Sequence, residues 1–192
     1  MTRFGRLLQL RPDVDIAEMS DAGIVAACAA DDRTARGLLF ERHVDAVHRF
    51  VGRMRGRDFD VIDDLVQSTF VRAYQSAARF RGDNARAWLF GIAANVVREY
   101  ARKEIRRKRA LEGVAHTIAR STERRDAHLI ARLPEYIAAL PHDLRAAFVL
   151  VDCEGEKGCD AALALGVPEG TLWRRVATAR TKLRDALNGG AS

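Results

Sequence analysis

Apolar positions along this chain recur three and four residues apart, and no run alternates with the two-residue period of a half-buried strand. Ser20 and Asp21 stand where they can cap a short helix reaching about Ala30. Asp31-Asp32 opens a second, carrying Leu38, Leu39, Phe40, Val44, Val47 and Val51 on its apolar side. Ile62, Leu65, Val66, Thr69, Phe70, Ala73, Tyr74 and Ala77 keep the i, i+3, i+4, i+7 rule closely. A polar break at Arg81-Gly82-Asp83-Asn84 precedes another helix from about Arg86, with an inner stripe of Leu89, Ile92, Ala93, Val96 and Tyr100. These stripes bury themselves against one another, which predicts a helical bundle ending near Lys103.

From Arg102 to about Arg125 the chain is dense in charge and poor in large apolar residues, so it reads as a linker, partly helical as an extension of the preceding helix. Apolar content returns at Leu129-Ile130. Helices from about Pro134, Pro141, Lys157 and Glu169 then make a second, smaller bundle, since proline is tolerated in a first helical turn. Gly166 and Pro168 break one helical pattern, and another starts at once with Leu172, Val176, Ala179 and Leu183 on one face. Arg174, Arg175, Thr178, Thr181 and Lys182 point elsewhere. Helix, glycine turn and basic second helix form the layout of a helix-turn-helix that enters the DNA major groove. The plainer alternative is an amphipathic terminal helix with a solvated face. The predicted class is all-α, with loose ends at 1–18 and 188–192.

The chain has 192 residues, 48% of them hydrophobic, and a net charge of +6, enough apolar content for real cores. Distribution says more than the sum. Asp58, Asp60, Asp63 and Asp64 gather on one side of the first bundle, whereas Arg98, Arg102, Lys103, Arg106, Arg107, Lys108 and Arg109 follow one another later. Segregated charge points to two different partners, one of them nucleic acid, against the alternative of two solvated helix faces. Cys28, Cys153 and Cys159 form no CxxC pair, which fits a reducing cytoplasm. His43, His48, His116, His128 and His142 show no metal-ligand spacing, and no glycine-rich phosphate loop is present. The expectation is therefore no enzyme and no cofactor. No apolar run approaches the roughly 18 residues of a membrane span, and Phe4 to Leu10 is too short and interrupted for a signal core.

Two blocks carry a family resemblance. Asp64-Leu65-Val66-Gln67-Ser68-Thr69-Phe70, followed by Ala87-Trp88-Leu89-Phe90-Gly91-Ile92-Ala93-Ala94-Asn95, resembles the sigma-two domain of bacterial RNA polymerase sigma factors. Ala139-Leu140-Pro141 with Arg145, Glu154-Gly155, Leu165 to Thr171 and Ala179-Arg180 resembles the sigma-four domain. Two such domains with a short linker are similar to the extracytoplasmic-function (ECF) group of the sigma-70 family, over roughly Ser20 to Leu187. The resemblance implies a sigma-two domain at 19–103, a linker at 104–127 and a sigma-four domain at 128–187. It implies an alternative sigma factor that binds core polymerase, recognises the minus-ten and minus-thirty-five promoter elements and promotes melting. The family is typically held inactive by an anti-sigma factor.

Residue roles follow the resemblance. Asp64 and Gln67 would dock on the clamp helices of the polymerase beta-prime subunit, while Leu65 and Phe70 hold their own core. Trp88, Asn95, Arg98, Arg102 and Lys103 would meet melted minus-ten DNA, an aromatic stacking on a base, an amide reading an edge and cations tracking phosphate. A packed core aromatic is the alternative for Trp88. Arg174, Arg175 and Thr178 are candidates for the minus-thirty-five element, with Thr171, Arg180 and Arg145 suited to the DNA backbone. Which arginines read bases and which hold phosphates stays open. The chain departs from the family pattern at Gly91, Glu99, Lys157, Ala161, Leu163 and Trp173. The missing hydroxyl cap at Lys157 implies a domain that leans on its partner for order. A stand-alone helix-turn-helix regulator is the competing function, but it leaves the first-bundle blocks unexplained.

Overall fold

The computed structural model describes residues 19–56, 61–112 and 129–189, and among them every regular element is a helix. The first is α1, Asp21–Ala29, whose Ser20 hydroxyl accepts from the Gly23 amide at 3.3 Å. Next, Asp32 caps α2, Arg33–Arg55, through Oδ1 accepting from Thr34 and Ala35 at 2.8 and 3.1 Å. Helix α3, Ile62–Ser76, lacks a side-chain cap, but Asp63 and Asp64 in its first turn complement the helix dipole. A short 3-10 turn, Ala77–Arg79, leads to α4, Ala85–Glu112. In the second bundle α5 is Leu129–Ala139, α6 is His142–Phe148, α7 is Gly158–Leu165 and α8 is Glu169–Gly189.

Several expectations shift. Helix α5 begins at Leu129 and carries Pro134 inside it, so Pro134 is not its first-turn residue. Helix α4 continues to Glu112, which makes the start of the 104–127 linker helical. Phe40, expected on the inner stripe of α2, is 41% exposed and rests its ring on Phe70 at 4.9 Å. Of the loose tail expected at 188–192, residues 188 and 189 instead close α8, while 190–192, the segment at 1–18, the rest of the linker at 113–128, and Asp58 and Asp60 lie outside the described residues.

The core of the first bundle is built by Val47, Phe50 and Met54 of α2, Leu65, Val66 and Phe70 of α3, and Leu89, Phe90, Ala93 and Val97 of α4. Phe50 and Phe90 stack at 4.7 Å between centroids. Leu150, Ala161, Ala162, Leu172, Val176, Ala179 and Leu183 build the second. The two cores are continuous, because α7 lies against α4 and α5 against α2.

Two backbone features set this docking. After α6 the chain widens into one π-helical turn, Val149–Cys153, in which the Glu154 amide reaches back to the Val149 carbonyl at 2.9 Å. The Glu154-Gly155-Glu156 segment then leaves the helix towards the first bundle, with Gly155 at φ +71°. At Gly91, a Cβ would lie 2.8 Å from the carbonyl carbon of Ala164 and nearer still to its oxygen. Only glycine lets the two helix backbones meet this closely. Finally Gly166, left-handed at φ +63°, ends α7, and the Val167 amide returns to the Ala162 carbonyl at 3.0 Å. That is the turn the Gly166/Pro168 pattern predicts.

Candidate nucleic-acid interface

Helix α4 presents the first surface. Asn84 caps it through Oδ1, which accepts from the Ala87 amide at 2.9 Å. One turn on, Trp88 is half-buried with its ring edge-on to Phe80 at 5.1 Å. Its inner edge packs in the domain and its outer edge lines a cleft with Arg81, Asn84, Asp160 and Leu163. Asn95 is exposed, and Glu99 beyond it is bound by Arg72 at 2.6 Å. That hydrogen bond holds the Glu99 carboxyl below its ordinary range. Arg102, Lys103, Arg106, Arg107, Lys108 and Arg109 continue the helix as an exposed cationic run. Arg98 behaves differently: it turns to the second bundle and donates to Asp143 at 2.7 Å.

Helix α8 presents the second. Leu172, Val176, Ala179 and Leu183 are buried, and Arg174 and Thr178 are exposed on the outer side, as the helical period predicts. Thr178 returns its hydroxyl to the Arg174 carbonyl at 2.8 Å, and Thr171 is half-buried. Arg175 lies 3.5 Å from Asp143, and Arg180 grips Asp152 with two bonds of 2.9 and 2.6 Å. Trp173 is 44% exposed and donates from Nε1 to Glu169 at 3.1 Å. Its ring covers Gly158, where a Cβ would come within 2.6 Å of Cζ2. The glycine at the uncapped start of α7 and the tryptophan of α8 are therefore complementary.

Arg145 has an unexpected setting. It is partly buried and donates to the carbonyls of Met54, Ala138 and Leu140, the last at 2.7 Å. Burial pushes its pKa down, with Arg55 nearby adding to the effect. In this conformation the guanidinium joins the α5–α6 turn to the end of α2.

The third surface is on α3. Asp63, Asp64, Gln67 and Ser68 are exposed, whereas Leu65, Val66, Thr69 and Phe70 are buried. Val71, one turn beyond Gln67, adds an exposed apolar contact of 47%.

Pattern reading missed Asn84, Asp143, Glu154, Glu156 and Asp160. Their partners in the other bundle lie 45 to 101 residues away, from Arg98–Asp143 to Arg53–Glu154, a distance no local period reports. Among the described residues no three His, Cys, Asp or Glu side chains gather to hold a metal ion, and no helix is long and apolar enough to cross a membrane.

Comparison with known proteins agrees with this layout. A family model described as Sigma-70 region 2 matches residues 39–109, and one described as Sigma-70, region 4 matches residues 130–183. The ECF RNA polymerase sigma factor SigM of Mycobacterium tuberculosis is 36% identical over 168 residues, covering 86% of this chain and 84% of its own. The ECF RNA polymerase sigma factor SigC of the same species is 34% identical over 172 residues, covering 87% and 93%. Among solved structures, CnrH in complex with the cytosolic domain of CnrY superposes with a TM-score of 0.64 at 29% identity, covering 88% of this chain and 97% of CnrH. The sigma factor RpoE of Bartonella quintana, in complex with the anti-sigma factor NepR, gives 0.61 at 28%, covering 78% and 94%.

Proposed function

The chain belongs to the ECF group of the sigma-70 family and is an alternative sigma factor of RNA polymerase, and we propose how its surfaces divide that work. Asp64 and Gln67 on the exposed edge of α3 bind the clamp helices of the beta-prime subunit, with Val71 extending the contact. Trp88, Asn95, Arg102 and Lys103 on α4 hold the melted minus-ten strand. Arg174 and Thr178, with Thr171, Arg175 and Arg180, meet the minus-thirty-five duplex through α8. Arg98 joins the DNA contacts only after leaving Asp143, and Arg145 keeps its carbonyl partners and serves the fold instead of the DNA backbone.

The observation that carries this division is the separation of exposed charge. Asp63, Asp64 and Gln67 stand on α3, whereas Arg102 to Arg109 stand on the distal half of α4. An acidic edge avoids DNA and suits a protein, while a cationic helix attracts phosphate. Melting on this scheme needs no catalytic residue, so the protein acts as an initiation factor in the cytoplasm, where its polymerase and promoters are. Capture of unstacked bases shifts the duplex equilibrium, with aromatic stacking contributing about 1–3 kcal/mol per base. A partner that masks these surfaces, an anti-sigma factor, is part of the proposal and is supported by the NepR complex of RpoE.

The test is run-off transcription with core polymerase. Substituting Asp64 and Gln67 together by alanine should abolish core binding and leave binding of a duplex by the intact chain unchanged. Asn95→Ala should keep core binding and lose open-complex formation. Loss of both activities in the Asp64/Gln67 variant would refute separate surfaces.

A further inference from the structure

Among the described residues of α8, Trp173 is the large apolar side chain that stands in water, 44% exposed, and its surroundings hold it there. Its Nε1–H, the single donor an indole has, is taken by Glu169 one turn back at 3.1 Å. Its six-membered ring lies on Gly158 at the start of α7, where a Cβ would stand 2.6 Å from Cζ2 and 3.0 Å from Cε2. The same Cβ would stand 3.0 Å from Glu169 Oε1, so ring, carboxylate and glycine form one packed unit. An indole gripped on two sides has little rotamer freedom left to lose on binding. With its donor used, what it still offers outward is an apolar edge.

Position gives that edge a use. Trp173 lies in the first two turns of α8, the end of a recognition helix that reaches base edges. Successive helical residues are about 100° apart, so Gly170 and Ala177 fall between Trp173 and Arg174 on the outer face. Nothing stands within 4 Å of where a Gly170 Cβ would be, and Ala177 is exposed. These two small residues make a shallow floor beside the ring, with no longer side chain to screen it on that side. In the major groove the apolar feature of a base pair is the C5-methyl of thymine.

We propose that Trp173 is a sequence-selecting residue of this chain: its locked indole edge packs on a thymine C5-methyl in the minus-thirty-five element, beside the site met by Arg174. The proposal rests on the assignment of α8 as the reader of that element. Glu169 and Gly158 are positioning residues, which act through the ring. A ring that merely covered Gly158 would be indifferent to base methyls, whereas a reading ring is not.

Duplexes bound by the holoenzyme, selected from a random-sequence library, supply the upstream sequence. Each of its thymidines is then replaced singly by deoxyuridine, which keeps every hydrogen-bonding group and lacks the methyl. Loss of one buried methyl should weaken binding by the wild-type holoenzyme about fourfold at one position, read by competition titration. Trp173→Ala should bind both duplexes equally. Gly158→Ala keeps the indole but puts a methyl in its seat, and alanine favours the helix, so α7 is retained while the thymidine-to-deoxyuridine ratio falls towards one. It serves where Trp173→Ala loses helicity by circular dichroism. Glu169→Ala should lower the ratio too, and Glu169→Gln, which still accepts from Nε1, should keep it. Arg174→Ala should weaken both duplexes and leave the ratio unchanged. A wild-type ratio of one at every thymidine, with Arg174→Ala still weakening binding, overturns the role of Trp173 alone. A ratio that survives Trp173→Ala assigns the methyl contact to Ala177 or Thr178 and overturns it equally. Binding indifferent to both Arg174→Ala and every methyl overturns the assignment of α8 itself.

Discussion

Arg145 separates what its residue type allows from what its surroundings dictate. A DNA-backbone arginine and a structural arginine make opposite predictions for the same substitution. In Arg145→Ala, the carbonyls of Met54, Ala138 and Leu140 lose their shared donor. A stranded buried acceptor costs about 1–3 kcal/mol, so three at the low end cost about 3 kcal/mol. A chain of this size loses about 2–4 °C of melting temperature per kcal/mol, which predicts a fall of about 6–12 °C by scanning calorimetry. Arg145→Lys should fall between the two, because an ammonium lacks the planar fork that reaches several carbonyls at once. The slope of log affinity against log salt for duplex binding should stay near wild type. Had Arg145 held a phosphate, that slope would lose about 0.9 and the melt would not move. An unchanged melt with a reduced slope would refute the structural role.

Arg102→Ala should show the reverse signature, a salt slope lowered by about 0.9 with little change in melting, read by fluorescence titration at several salt concentrations. His142 is held neutral by burial, with Arg98 the next cause, and its pKa falls to about 4 from 6.5. The unfolded ring binds its proton first, so His142's contribution to stability is complete above about pH 6.5 and is lost as pH falls towards 4; urea melts of His142→Leu should show a flatter dependence across that window. Asp32→Ala removes the acceptor for Thr34 and Ala35 at the start of α2 and should cost about 1 kcal/mol in the same melts.

The helices were legible because each buries a stripe at helical period, and their ends were legible where a single residue sets the backbone, as Asp32 and Gly166 do. Pro134 misled for a physical reason: proline marks a helix start only when no helical residues precede it, and Leu129–Leu133 already form the first turn of α5. The acidic and basic faces of α3 and α4 were readable as faces, since local period determines which side is wet. What occupies a wet side is another matter.

An arginine offers the same fork to a phosphate, a carboxylate or a row of carbonyls, so its residue type alone does not select among them. Tertiary proximity does. Arg98, Arg145, Arg175 and Arg180 lie within reach of Asp143, three carbonyls, Asp143 again and Asp152, while Arg102, Lys103 and Arg174 extend outward. The same holds for the departures from the family pattern. Taken singly, Lys157 is a missing hydroxyl cap and Trp173 a departure on α8; in the fold the residue after that cap, Gly158, is the glycine that the Trp173 ring covers. Gly91 is a missing side chain until Ala164 is set against it. A DNA contact by any of the paired arginines must therefore exchange one partner for another. Exchange couples Arg98 and Arg145, whose partners lie across the two bundles, to how those bundles pack, whereas Arg175 and Arg180 exchange partners within the second bundle and the exposed cations of α4 need no exchange.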